Sequence, residues 1–503
     1  MSRKFWKRIV FGLALLFLLL AILLAHPVFH LVKTAWNDRN EITPTTVGKI
    51  NDASRLNETS ISRFEKIPAD FAAAEQQLRE LLQFARTNHL KISIAGARHS
   101  MGGHVIYPGG IAIDMLPFSR MTLDVTNRIL NVQSGARWRD VILFLNERGL
   151  SVEVMQSNDD FSVGGSISVN CHGWQFNRPP IDATVASFRL MRADGKIVTC
   201  SRAENTELFS LVLGGYGLFG IILDVNLRVV PNERYTLETI AVASSNYVSL
   251  LARRTADDRC VGMVYGRLRM TATNFLSDAL LNIYWRKTPP PTNCLVSQLG
   301  PPTTPKLKRT VFRSGVGSDY GKWIRWQAES FVAPKILPWF TGREEDRNQI
   351  LFEPAEWFLE HGSNRTDILI ECFVPPPQFE PFLVELRKII PAHHADLLNL
   401  TVRHVNADTN SLLTYADRDM VALVMLFNHT RDEAGEKTMS DVTQEIVAAA
   451  LRHAGRYYLP YRLHATPEQF NAAYPKAKTF FDLKRKYDPE ELFQNEFYLK
   501  YGK

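Results

Sequence analysis

The stretch KISIAGARHSMGGHVIYPGGIAIDM, residues 91–115, constrains this chain more than any other. KISIA and GGIAIDM each alternate at period two, the pattern of a strand. Gly96, Gly102 and Gly103 break up the run between them, which therefore reads as a tight, irregular connection. Such a loop presents successive backbone N–H groups and makes a concavity suited to an anion such as a phosphate. His99 and Ser100 sit at its centre. Taken alone, the stretch fits an ordinary glycine-rich turn with an incidental histidine equally well.

Two more glycine clusters narrow the choice. SVGGSISVNCHGW, from Ser162 to Trp174, packs glycine, serine, asparagine and histidine between strands. GYGLFG, with Gly215, Gly217 and Gly220, fits the dinucleotide spacing G-x-G-x-x-G. That fingerprint requires a helix after it, presenting its N-terminus to a pyrophosphate. Here the sequel is IILDVNLRVVP, an alternating strand stopped by Pro231, so a Rossmann unit is excluded. Three such loops (94–104, 162–174, 214–222) in one domain suggest a long ligand with an anionic middle lying across the fold.

Around these loops the pattern is mixed. Residues 70–89 have helical periodicity, RILNVQSGA reads as a strand, and WRDVILFLNERGL as a helix that Gly149 ends. ATVASFRLMRADGKIVTCS reads as a hairpin turning at Asp194-Gly195, and NTELFSLVL as a helix capped by Asn205. Elements in this order are α+β, not repeated βαβ units. Past Pro231 the proline-rich 286–307 reads as a surface excursion, and residues 236–455 as a second α+β layer.

At 503 residues the chain exceeds a single core, and 45% hydrophobic with 22% charged residues is globular composition. A net charge of +7 without a basic run speaks against a nucleic-acid partner. The cysteines at 171, 200, 260, 294 and 372 form no C-x-x-C pair, so neither a disulfide framework nor a zinc site is expected. His393, His394 and His404 lack metal-ligand spacing and read as solvated, and His104 as a packed loop residue; no metal is expected. At the N-terminus, RKFWKR precedes an apolar run from Ile9 to Ala25. The length predicts a spanning helix, and Leu23 is too large for the position it would hold in a signal-peptide cleavage site. Arg3, Lys4, Lys7 and Arg8 predict a cytoplasmic N-terminus and a body on the other face, periplasmic in a bacterium. The lipid bilayer is then an expected partner.

The three loops together resemble those of the vanillyl-alcohol-oxidase-type (PCMH-type) flavoproteins, which bind FAD. The nearest branches are the alditol oxidases, the aldonolactone oxidases including D-arabinono-1,4-lactone oxidase, and the decaprenylphosphoryl-ribose oxidases. IAGARHS (Ile94, Ala95, Gly96, Ala97, Arg98, His99, Ser100) is similar to the pyrophosphate loop. GGSISVNCHG resembles the second flavin loop, with Gly165, Ser166, Asn170, Cys171, His172 and Gly173 as cofactor contacts. GGYGLFGII resembles the third, with Gly217, Gly220, Ile221 and Ile222. AAYPKAKTFFDLKRKYDPEELFQNEF resembles the closing segment and contributes Asn495. The resemblance implies that His99 is joined covalently to the flavin 8α carbon, as in the alditol and lactone oxidases. Cys171 lacks the setting of a second covalent link.

For catalysis, LTVRHVNAD resembles an active-site Glu-x-Arg strand: Arg403 matches the arginine, and Thr401 stands where the glutamate would be. A catalytic lysine of the family falls on Tyr461 or Arg462 in LPYRLHAT, and neither is lysine. Glu371 in IECFVP, on another flavin-facing strand, could supply the missing carboxylate.

The resemblance thus implies a two-domain PCMH-type fold with an N-terminal transmembrane helix: basic flank and anchor at 1–32, linker at 33–60, FAD-binding domain at 61–235, substrate cap at 236–455, and a segment returning to the FAD domain at 456–503. The implied activity is hydride transfer from a CH–OH carbon of a polyol, sugar or aldonolactone to flavin N5, with oxygen as acceptor. One alternative is a quinone-linked dehydrogenase of a lipid-linked sugar or sterol-like substrate, which the anchor favours. The other is a non-catalytic flavin electron-transfer partner.

Overall fold

The computed structural model describes residues 3–503 except 40, 41, 43, 288–296, 301–304, 337, 342 and 343. Most of the proline-rich excursion lies outside the described residues.

A three-stranded parallel sheet, ordered Arg63–Lys66, Ile111–Asp114, Ile92–Ala95, carries the first glycine loop between its last two strands in the chain. The helix Phe71–Thr87 covers it. Asp70 caps that helix by accepting from the Ala73 amide at 3.1 Å, and Ala74, Leu78, Leu81, Leu82 and Ala85 recur at helical spacing on the buried face. A second, antiparallel sheet centres on the strand Ile221–Pro231, flanked by Val185–Met191 and Ile129–Gln133. The third sheet has eight strands. Four adjacent ones, Val261–Leu268, Asp396–Val405, Met420–Thr430 and Arg365–Val374, form the floor facing the loops.

The C-terminal segment ties the sheets together. Its strand Arg456–Tyr457 pairs with Cys372 and Phe373 on the edge of the eight-stranded sheet. Farther on, Ile92 donates to the Leu492 carbonyl at 2.8 Å and accepts from Gln494 at 3.0 Å, joining the parallel sheet. Helices and largely antiparallel strands mix as expected for α+β.

The expected membrane anchor is not upheld. Among the described residues no helix is long and apolar enough to cross a membrane. The N-terminal helix runs Arg3–Asn37, and from His26 onward it packs on the body. The His26 and His30 rings lie 4.3 and 5.3 Å from Tyr320, His30 Nε2 is 3.1 Å from the Ser314 carbonyl, and Asp38 ion-pairs with Arg309 at 2.5 Å. These polar attachments leave no free tether directly after the apolar run. The single-pass, non-cytoplasmic placement read from the basic flank falls with the anchor.

Three smaller readings change. Residues 163–168 form a short helix instead of an extended loop. Asn205 does not cap its helix with its side chain; it adopts left-handed backbone (φ 47°) and donates to the Thr199 carbonyl at 2.7 Å. His404 is not solvated: its ring stacks on Tyr247, Nε2 is buried, and burial pushes its pKa down to about 4. His104 packs between Tyr216 and Phe497, with its pKa lowered to about 3 by burial.

Candidate active site

The first loop folds against the start of the helix Val163–Ser168. The Ala97 amide donates to Ser162 Oγ at 3.2 Å, and a Cβ at Gly96 would overlap that hydroxyl. Ser162 thus holds the neighbouring loop and does not cap its own helix. Arg98 adopts left-handed backbone (φ 58°), and the N–H groups of Arg98, His99 and Ser100 find no acceptor among the described residues. Ser100 Oγ is buried without a partner. Backbone donors rarely go unpaired, and successive N–H groups around a left-handed residue form a nest for phosphate oxygens. The loop fits a pyrophosphate.

His99 lies at the edge of this nest. Its ring stacks on Phe161, centroids 4.0 Å apart, and Nε2 is 3.7 Å from Asp160 Oδ2. Burial lowers its pKa and Asp160 only partly opposes that, so the imidazole is neutral near pH 7.

The other loops close around the first. Gly217, at φ 74°, faces Ile94, while at Gly220 a Cβ would come 2.6 Å from the Met191 carbonyl. Ile221 and Ile222 begin the strand beyond. The Asn495 amide donates to the carbonyls of His104 at 2.8 Å and Tyr216 at 2.9 Å, stitching the first loop to the third. In the second loop, Ser166 is spent within the protein: its hydroxyl accepts from the Trp138 indole and donates to Gln156. Gly165 lies beside Ser162, and Gly173 packs against the Met155 carbonyl. Asn170, left-handed at φ 49°, donates to Asp408 at 3.2 Å and accepts from the Asp182 amide. Cys171 is a buried neutral thiol, its pKa pushed up to about 12 by burial.

Where this loop meets the eight-stranded sheet, polar groups converge. Strand register places Glu371, Val424, Thr401 and Arg267 opposite one another on one face, with Arg403 and Phe373 in the next row of that face. Glu371 Oε1 lies 2.6 Å from His172 Nε2, and Oε2 accepts from the Tyr461 hydroxyl at 2.9 Å. Arg403 donates to the His172 carbonyl at 3.3 Å and to Ser157 Oγ at 2.8 Å, and its Nε is buried without a partner. Among the described residues it has no carboxylate within ion-pair distance.

Burial alone would raise the Glu371 carboxyl, but His172, Arg403 and Tyr461 together hold it below the usual carboxylate range. Burial depresses His172, and Arg403 adds to that against the pull of Glu371. A carboxylate beside a neutral imidazole follows. The Nε2–H then belongs to Glu371, leaving Nδ1, which is buried and unpartnered, as a free acceptor.

Of the five catalytic candidates, Glu371, Tyr461 and Arg403 come together here. Thr401 shares the face but bonds Arg267 and Asn399. Arg462 points elsewhere, to Glu436 and Asn57. Ser157 and Ser162 went unnoticed in the sequence because nothing in their local pattern distinguishes them from turn serines. The pairing of His172 with Glu371 was hidden because the two are 199 residues apart.

The FAD binding domain family matches residues 70–201, which hold the first two loops. That stretch is similar to an FAD-binding domain. An uncharacterized oxidoreductase from the fasciation locus of Rhodococcoides fascians is 25% identical over 56% of this chain and 60% of its own length. Cytokinin dehydrogenase 2 of Arabidopsis thaliana is 32% identical over 29% of this chain and 30% of its own. D-arabinono-1,4-lactone oxidase of Debaryomyces hansenii is 30% identical over 32% and 31%. The chain thus spans 30–60% of these relatives' lengths. Their similarity supports an FAD-binding oxidoreductase with relatives that include an aldonolactone oxidase and a cytokinin dehydrogenase. The nest at 98–100 is where that domain would hold the pyrophosphate.

Proposed function

We propose that the protein is an FAD-dependent oxidoreductase that oxidises a CH–OH carbon of a polyol, sugar or aldonolactone, with oxygen as the final acceptor. The observation that carries this reading is the buried Glu371–His172–Tyr461 network set beside Arg403, where the second flavin loop meets the sheet floor. The D-arabinono-1,4-lactone oxidase relative supports the substrate class.

Bound FAD supplies the hydride acceptor at N5. The chain must orient the carbon, take the hydroxyl proton and stabilise charge. His172 Nδ1 takes the proton. Glu371 holds the imidazole in the tautomer that leaves Nδ1 free and stabilises the imidazolium that forms, and Tyr461 fixes the carboxylate. Arg403 is a preorganised cation for developing alkoxide charge. His99, neutral and against Phe161, is the residue for an 8α link to the flavin. With the anchor withdrawn, the lipid-linked alternative loses the feature that favoured it.

The test is anaerobic mixing of the FAD-loaded protein with polyols, sugars and aldonolactones. Bleaching of the flavin's visible band by members of this class supports the reading. Reduction by dithionite alone would remove it.

A further inference from the structure

The row that begins with Glu371 ends, three strands away, in a second cationic centre. At 4.7–4.9 Å per strand the Cα atoms of Glu371 and Arg267 are roughly 14 Å apart, on the same face of the floor. Arg267 is half-buried, and among the described residues its guanidinium bonds only neutral oxygens, Asn399 Oδ1 at 3.0 Å and Thr401 Oγ1. Asn399 Oδ1 also accepts from Arg325 at 2.8 Å, so two guanidinium groups converge on one amide oxygen. Arg325 ion-pairs with Glu329 at 2.7 Å, and Arg267 helps to hold that same carboxyl below its usual range, so two guanidinium groups share one carboxylate; none lies within ion-pair distance of Arg267 among the described residues. Of the two other carboxylates near this corner, Glu353 is paired with Lys308 at 3.3 Å, and burial raises Glu345 toward its neutral form. Tyr265 completes the corner. The Arg267 guanidinium lies 5.3 Å from its ring, and Trp174 of the second flavin loop stacks on it at 4.5 Å. The Trp174 indole N–H is buried and has no acceptor among the described residues.

Two guanidinium groups sharing one carboxylate, and an indole donor unpaired among the described residues, meet around Tyr265 and call for an acceptor carrying negative charge. We propose that this corner is a subsite for an anionic group of the substrate, a carboxylate or a phosphate, and that Arg267 selects for it. The inference rests on the reading that oxidation takes place at the Glu371–Arg403 end. It adds that several carbons separate the oxidised carbon from the anion. It also gives Thr401 a role: a hydroxyl there steadies Arg267, whereas a glutamate would pair with it and cancel the site.

Calorimetric titration of the FAD-loaded full chain tests this without turnover. The probes are gluconate, glucuronate and glucose 6-phosphate, with sorbitol and glucose as neutral controls. Wild type should bind at least one anionic probe about tenfold or more tightly than its neutral counterpart, in line with a hydrogen bond to a charged group. The preference should shrink with salt, vanish in Arg267→Gln and survive in part in Arg267→Lys. Whichever of the sugar acids or the sugar phosphate binds best identifies the anion. No preference in wild type, or one that persists undiminished in Arg267→Gln, overturns the subsite. Neutral alcohols that bleach the flavin without any anion preference would sink the subsite alone. Anion preference without bleaching by any alcohol would sink the catalytic reading alone.

Discussion

Glu371 Oε1 and His172 Nε2 lie 2.6 Å apart, and this contact joins the floor of the eight-stranded sheet to the second flavin loop. Both side chains are buried and both have pKa values below their ordinary ranges. The catalytic form, carboxylate beside neutral imidazole, therefore prevails at neutral pH and is lost only as pH falls. Flavin reduction should be flat above about pH 6.5 and decline on the acid side, below the unperturbed histidine value. Glu371→Gln removes the group that supports the imidazolium. The rate should fall on the order of 10²-fold, and the acid limb should move to still lower pH. Stopped-flow reduction across pH reads both effects. An acid limb that stays in place in the variant would show that Glu371 does not act through His172.

Arg403 has its guanidinium fixed by a backbone carbonyl and Ser157 instead of a carboxylate. Arg403→Ala should keep FAD bound, since its bond to the second loop, at the His172 carbonyl, lies apart from the nest at 98–100, while flavin reduction slows by roughly 10²–10³. Arg403→Lys should recover only part, because the planar fork that reaches two acceptors is lost. Reduction as fast as wild type in Arg403→Ala would make the residue structural.

How much of this was legible in the sequence depends on the range of each interaction. The helix over 70–89, the hairpin at Asp194-Gly195 and the strand after Gly220 are written in local periodicity, and the structure shows helix Phe71–Thr87, strands Val185–Met191 and Ile197–Ser201, and strand Ile221–Pro231. The short helix at 163–168 escaped because two glycines and two serines obscure a helical pattern. Arg462 and Tyr461 are neighbours in sequence and could not be told apart there. In the bend after the strand Arg456–Tyr457 the two side chains part, Tyr461 to Glu371 and Arg462 to Glu436. The apolar N-terminal run was read from its length, Leu23 and its basic flank, whereas the ring contacts of His26 and His30 with Tyr320 depend on residues nearly 300 positions away.

The Arg462–Glu436 contact gives a stability prediction. Burial alone would raise the Glu436 carboxyl, but His464 and Arg462 bring it down to about 2 from 4.5. At 1.36 kcal/mol per unit that is about 3 kcal/mol. The contribution is fully present above pH 4.5 and disappears as pH falls toward 2. Glu436→Gln should therefore lower the unfolding free energy at pH 7 by up to that amount and flatten its acid dependence between pH 5 and 2, measured by urea denaturation. Equal acid sensitivity in wild type and variant would contradict this assignment.

His99 is tested by denaturation of another kind. If the neutral imidazole is joined to the flavin, acid-precipitated protein keeps its yellow colour and fluoresces on a denaturing gel, and His99→Ala releases the cofactor. Flavin that leaves wild type entirely on precipitation would remove the covalent link. FAD binding itself would stand, because it rests on the nest at 98–100 and the loops around it.

The central claim is that the Glu371–His172 pair and Arg403 form one site for oxidising an alcohol carbon. Single-turnover anaerobic reduction by the best substrate from the polyol, sugar and aldonolactone screen measures this most directly, in wild type, Glu371→Gln and Arg403→Ala at pH 7.5. The account predicts rapid bleaching in wild type and losses on the order of 10²-fold or more in each variant, with FAD retained in all three. Bleaching at the wild-type rate in both variants would place the chemistry elsewhere and contradict it.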